Sequence, residues 1–231
     1  MWIDDEVLRR CREPVALGLW VPKSPMVVLG SSNQAAVEAA AEACEADQVP
    51  ILKRFGGGGA VVLHAGCAVV SLGCWVAQLF NNRLYFDGIN RAVILALGER
   101  WPELAQLQQG GLSDLTCAAP DGGPGLRKVA GTSLFRSRNY LLYQASILIE
   151  SRLPVIERYL RYPSKEPDYR GGRSHAQFIM GLNEILPELT AAGCVEQLRL
   201  RLEAALHRTL GSELVQPRPE QWDGLLRRAG P

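Results

Sequence analysis

The chain has 231 residues, 47% of them apolar and 21% charged, with a formal net charge of +1. That length supports one large domain or two small ones with a real core, and so small a net charge gives no global pull toward nucleic acid or an anionic membrane. The opening stretch MWIDDEVLRR lacks the apolar core of a secretion signal, and no apolar run approaches the roughly 18 residues of a membrane helix.

Six cysteines, at 11, 44, 67, 74, 117 and 194, form no Cys-x-x-Cys pair, and three histidines add no zinc-site spacing. They are expected to be reduced thiols in a cytoplasmic protein. Val15–Trp20 and Met26–Leu29 are short apolar runs divided by Pro22 and Pro25. The second is expected to be a strand. Residues 34–46 are alanine-rich with Glu38, Glu42 and Glu45 interleaved, which predicts a single helix. Ser32 or Asn33 is placed to cap it.

The stretch LKRFGGGGAVVLHAGCAVVS over 52–71 follows. Lys53, Arg54 and four glycines, 56 to 59, separate two strand-like runs. A hairpin needs only about two turn residues, so four glycines point to a binding loop. Without Cβ atoms, another molecule can lie against the peptide plane. Arg54 beside bare N–H groups suits a carboxylate or phosphate. Neither a Gly-Lys-Ser/Thr phosphate loop nor a Gly-x-Gly-x-x-Gly turn is present.

Cys67–Trp75 is almost wholly apolar and is expected to be a buried strand. Residues 87–101 carry Ile89, Val93, Leu97 and Trp101 at fourfold spacing, an amphipathic helix. Residues 110–126 are loop-rich, with a short strand at 114–117 and a tight connection at 121–125. Residues 128–133 are small and polar, and 140–149 form a long strand. Helices are expected at 153–160, 175–182 and 193–210, with a loop at 162–174 and a peripheral tail from Gly211. Strands first and helices last predict α+β architecture. In the segment RKVAGTS, small neighbours allow the Lys128 ammonium to sit deep in a cleft. Asp114 is placed to orient it or to help hold magnesium.

Two blocks, RFGGGGAVVLHAG and RKVAGTSLFRSRNYLLYQASILIE, resemble by order and separation the glycine and lysine signatures of the lipoate–protein ligase family. That family belongs with biotin ligases and octanoyl transferases. YPSKEPDYRGGRSH resembles a segment of its single-domain members. The likeness runs over roughly residues 26–182.

The resemblance implies an α+β fold with a mixed, mostly antiparallel sheet and packed helices, like the catalytic core of biotin ligases and class II aminoacyl-tRNA synthetases. It implies one catalytic domain over 1–231, with 183–231 a helical C-terminal extension and no separate accessory domain. It also implies a reaction: lipoate or octanoate is activated with ATP and Mg2+ as acyl-AMP, then passed to a lysine of an apo lipoyl-domain protein. Carried over residue by residue, Lys128 is the catalytic lysine. Arg54, Gly57, Gly58, Gly59, Ala60 and Val61 line the acyl and adenylate pocket. Asp114 matches the acidic position of the nucleotide loop, and Gly131 lies in the turn after the lysine. Val61, Val62, Val69 and Val70 are candidate walls for the acyl tail, though strand alternation turns half of them elsewhere.

The chain departs from the family pattern in places. Leu63-His64 stands where ligases often carry His-Asp, so His64 does not take the family histidine's role. Gln144-Ala145-Ser146 replaces a frequent His-Gly-Thr, and Ser113-Asp114 replaces Asn-Asp. The part after Leu182 is too short and too helical for an accessory domain, which leaves room for a separate accessory subunit. A rival reading makes Cys117 the acyl-thioester nucleophile of an octanoyl-[acyl carrier protein]–protein transferase. The plain alternative for Cys117 is a small packing residue. A third reading is a non-catalytic acyl-binding relative. Biotin is disfavoured, because the Gly-Arg-Gly-Arg motif is absent.

Overall fold

The computed structural model describes residues 5–78, 81–120, 122–123 and 125–217. The tail beyond 217 and two positions of the expected connection, Asp121 and Pro124, lie outside the described residues. The chain begins with α1 (Asp5–Arg9), β1 (Val15–Trp20) and β2 (Met26–Leu29), then α2 (Ala35–Glu38) and α3 (Ala41–Ala46). β3 (Ile51–Lys53), β4 (Val61–Leu63) and β5 (Cys67–Trp75) follow, then α4 (Asn82–Gly98). Next come β6 (Gln108–Gly110), β7 (Asp114–Ala118), β8 (Leu126–Ser137) and β9 (Tyr140–Leu148). α5 (Leu153–Tyr159), α6 (His175–Phe178) and α7 (Ala191–Leu210) complete the described elements.

The strands form two sheets. The larger has the order β1-β5-β9-β8-β7-β6, antiparallel at every pairing. The smaller has the order β3-β2-β4, with β2 parallel to β3 and antiparallel to β4. This is the mixed, mostly antiparallel α+β architecture that the sequence predicts. All nine residues of β5 are buried, because it has strands on both edges and packed groups on both faces. One face of the large sheet meets α4 and α7 through Leu72, Leu97, Leu141, Tyr143, Leu198 and Leu206. Removing this much apolar surface from water is the main stabilising term. A second cluster, with Val27, Val62, Ile156, Tyr159 and Phe178, joins the small sheet to α5 and α6.

Several expectations are corrected by tertiary contacts. Residues 34–46 are two short helices rather than one. Ala39 is extended and bridges Leu160, the Ala40 N–H donates to the Tyr159 carbonyl, and the Arg161 N–H donates to that of Glu38. Strand-like pairing thus overrides alanine's helix propensity. Neither Ser32 nor Asn33 caps α2; the Asn33 side chain accepts from the Gly30 N–H instead. Val15–Trp20 is a strand, drawn into the sheet by β5. α4 starts ahead of Asp87, where the Asn81 side chain accepts from the Leu84 N–H. The helix at 175–182 stops at Phe178, because Ile179 bridges Lys128. α7 packs into the main core. All six cysteines are free and buried, and no described helix is long and apolar enough to cross a membrane.

Candidate active site

The glycine segment is not a hairpin turn. β3 and β4 do not pair with each other; both pair with β2, one on each side. The segment therefore crosses over the end of β2 and must be shaped by something other than a ladder. Arg54 shapes it. Its buried guanidinium donates from Nη2 to the carbonyls of Gly57 at 2.8 Å and Gly59 at 2.7 Å, and from Nη1 to that of Val28 at 3.4 Å. The cation expected to meet an anionic ligand is here turned onto the loop's own carbonyls.

Close packing then explains the glycines. A Cβ on Gly30 would lie 2.1 Å from the Gly58 carbonyl oxygen, and one on Gly56 would lie 2.6 Å from the Ser133 hydroxyl. Gly58 has φ of +91°, a conformation that L residues rarely adopt. Gly57 and Gly59 differ: nothing comes within 4 Å of where their Cβ atoms would be. Their flanks face open space on a loop held from behind.

Lys128 reaches the same side through a β-bulge. Leu115 pairs with Ala130 but Thr116 pairs with Lys128, so Val129 is one residue too many on β8. Val129 and Ala130 both turn into the core beside α4 and α7. A regular strand would send Lys128 into that core as well. The bulge instead places it on the face of Gly131 and Ser133, against which the glycine loop packs. Gly131 leaves room for the lysine: a Cβ there would lie 3.2 Å from both Cε and Nζ. The backbone of Lys128 is fixed on its other edge, where its carbonyl accepts from the Met180 N–H at 3.0 Å.

The Lys128 ammonium lies 2.9 Å from Asp114 Oδ1, with side chains 24% and 12% exposed. The other carboxylate oxygen accepts from the Tyr169 hydroxyl at 2.8 Å. Asp114 follows a turn held by a polar network. The Asn90 amide donates to Gln109 Oε1 at 2.7 Å and to the Ser113 carbonyl at 2.9 Å. Asn90 Oδ1 accepts from the Tyr143 hydroxyl at 2.7 Å, and the Thr132 hydroxyl donates to the Ser113 carbonyl at 2.6 Å. Buried polar groups so fully paired make a rigid mount.

Sequence reading missed the floor of this site. Ser71, Gln144 and Ser133 are buried polar side chains in one cross-strand row on β5, β9 and β8. The next row is Val69, Ser146 and Gly131. Polar residues at alternate positions of otherwise apolar strands were the available signal. Of the four candidate wall valines, Val61 and Val69 share a cluster with Val28, Leu63 and Cys67. Val62 and Val70 face two other cores.

Cys117, the alternative nucleophile of the sequence reading, stands elsewhere. It neighbours Thr116, the cross-strand partner of Lys128, and so projects from the opposite face. Its thiol is fully buried against Met180 Sδ at 3.5 Å, and burial pushes its pKa up to about 11. His64 is also buried. Its Nδ1 accepts from the Gly66 N–H at 3.1 Å, and burial, aided by Arg152, holds its pKa down to about 4.

Residues 1–203 match the family model described as the lipoyl protein ligase A/B catalytic domain. A protein of Schizosaccharomyces pombe, named as a candidate lipoate-protein ligase A, is 28% identical over 141 residues, or 61% of this chain. The match spans only 35% of that relative's length. A bipartite lipoate protein ligase of Thermoplasma acidophilum, described with its E2 lipoyl domain, superposes with a TM-score of 0.71 at 18% identity, covering 97% of this chain and 84% of its own. A lipoate-protein ligase A bound with ATP gives 0.68 at 16%, covering 97% and 85%. At such identities the superpositions establish a shared fold.

Proposed function

This chain belongs to the lipoyl protein ligase A/B catalytic-domain family, and on that premise we propose that it attaches lipoate, or octanoate, to a lysine of an apo lipoyl-domain protein by way of an acyl-adenylate. The observation that carries the reading is the Lys128–Asp114 pair at 2.9 Å, set by a bulge on the face where the glycine loop packs and where Gly57 and Gly59 lie open. A carboxylate is a poor electrophile. In the first step its oxygen attacks the α-phosphorus of ATP and pyrophosphate leaves. In the second, the acceptor lysine's amine attacks the acyl carbon, AMP departs with the C–O bonding pair, and the amine gives up a proton. Both barriers come from charge growing on oxygen, first on phosphorus, then on the acyl group. The Lys128 ammonium, with the loop at Gly57 and Gly59, is placed to stabilise both.

Magnesium, brought with the nucleotide, would supply charge neutralisation at the phosphates. Asp114 is the carboxylate at hand, and no cluster of three or more His, Cys, Asp or Glu suited to a metal occurs among the described residues. Asp114 is thus the residue that would help hold the ion. Val61 and Val69, beside the glycines and the Ser146 row, are the apolar surface for the acyl chain. The acceptor is a lipoyl domain, and a separate accessory subunit assists activation, as the bipartite description of the T. acidophilum relative suits.

The test is ATP–pyrophosphate exchange with lipoate, octanoate and biotin, with and without a candidate accessory chain. Exchange with lipoate or octanoate supports the reading. Exchange with biotin alone, or an acyl adduct formed on the enzyme without ATP, contradicts it.

A further inference from the structure

The segment YPSKEPDYRGGRSH has no role in the chemistry so far, yet it wraps the lysine's end of the sheet. Its Tyr169 hydroxyl donates to Asp114 Oδ2 at 2.8 Å, while Oδ1 meets the Lys128 ammonium at 2.9 Å. One carboxylate thus links a residue of the wrap to the lysine. Tyr169 is itself fixed from several directions. Its ring packs on buried Phe178 at 5.2 Å between centroids. Its carbonyl accepts from Arg173 Nη2 at 2.7 Å, and Arg173 Nη1 donates to the Leu126 carbonyl at 3.0 Å, two residues before Lys128. Across the ring stands Gly111, with φ of +57°, where a Cβ would lie 3.2 Å from a ring carbon. Glycine at the tip of the β6–β7 turn lets the ring reach the carboxylate.

We propose that Tyr169 is a positioning residue that fixes the Asp114 carboxylate, and through it the Lys128 ammonium, so that the 162–178 wrap sets the aim of the lysine. A carboxylate with a single partner turns about its terminal torsion at little cost, since such torsions are broad. A second, oppositely placed donor removes that freedom. A hydroxyl-to-carboxylate bond is charge-assisted and stronger than one between neutral groups, and small misplacements of a charge-stabilising group are expensive in rate.

The inference rests on the functional reading above for its consequence, but its geometry is separable. The test compares wild type, Tyr169→Phe, Asp114→Asn and the double variant. Phenylalanine keeps the ring contacts with Phe178 and deletes only the hydroxyl. The first readout is the rate at which an amine-acylating reagent labels Lys128, followed by peptide mass spectrometry. Loosening the pair frees the amine, so labelling should rise several-fold in Tyr169→Phe and in Asp114→Asn, with no further rise in the double variant. The second readout is steady-state lipoyl transfer. Tyr169→Phe should lower kcat about tenfold with KM for lipoate nearly unchanged, and should add nothing in the Asp114→Asn background. Wild-type labelling rates in a folded Tyr169→Phe, or a full extra loss in the double variant, would overturn the inference while leaving the functional reading intact. Faster labelling in Tyr169→Phe, with a wild type unable to transfer the acyl group from synthetic lipoyl-adenylate, would sustain the positioning role and refute that reading instead.

Discussion

Replacing Lys128 with alanine deletes an ammonium and little packing. Its pair with Asp114 is partly solvated, so the stability cost is within about 1 kcal/mol. The cost in rate is larger: a group that stabilises developing charge is worth on the order of a hundredfold or more. Lys128→Ala should therefore melt near wild type and transfer almost no acyl group. The glycine loop gives a sharper contrast. Gly57→Val adds a side chain into open space and should leave the melting temperature nearly unchanged while blocking a lipoyl-adenylate mimic, as measured by calorimetry. Gly58→Val forces a β-branched residue to φ of +91° beside the Arg54 guanidinium and should destabilise by about 1–3 kcal/mol. Equal binding by wild type and Gly57→Val would mean that the open flank is not the ligand face. Cys117→Ser swaps a buried thiol on the far face of the sheet, so turnover should persist and no acyl-enzyme should appear in a mass spectrum. At this scale the sequence displayed Lys128, Asp114 and the glycines, because their spacing is local. It concealed Arg54's inward turn and Tyr169's contact, because both depend on chain segments that meet only after folding.

The element that decides the site is β8. A regular strand with the order Lys128, Val129, Ala130, Gly131 puts the lysine and Gly131 on opposite faces, and the bulge at Val129 puts them on one. Deleting Val129 removes the unpaired residue and leaves Thr116 opposite Lys128, so the ladder should become regular with the lysine still on the Gly131 face. The variant should keep measurable activity and lose about 2–4 kcal/mol of stability through the missing buried valine. A folded deletion variant that has lost all transfer activity would contradict this reading of the register. The bulge was not readable from RKVAGTS, whose small polar residues favour neither sheet face. The strands at 67–75 and 140–149 were readable, because apolar β-formers run through them. The helix expected over 34–46 failed for the converse reason: alanine records local preference, while the break at Ala39 follows from pairing with Leu160 more than a hundred residues away.

For the whole molecule, buried His64 makes stability depend on pH. The folded protein holds it neutral down to about pH 4, whereas an unfolded chain takes up that proton near pH 6.5. The unfolded state thus binds more protons across this window, and stability falls as pH drops from about 6.5 to 4, by up to about 3 kcal/mol from this group. Urea unfolding at pH 7.5 and 4.5 should show His64→Gln losing less stability than wild type between the two; equal losses would remove His64 from the account. The architecture gathers the two sheets, the glycine crossing and the bulged strand around one polar floor, and the central claim is that this floor hosts acyl transfer assisted by Lys128. The most direct measurement supplies the activated acyl group ready-made, which bypasses any need for an accessory subunit. Purified protein, synthetic lipoyl-adenylate and an apo lipoyl domain are mixed, and the acceptor is weighed by mass spectrometry over time. If this floor hosts the transfer, wild type gives a lipoyl gain on the acceptor lysine well above the uncatalysed rate, and Lys128→Ala gives background. A gain no faster than background with wild type, or an undiminished gain with Lys128→Ala, would contradict it.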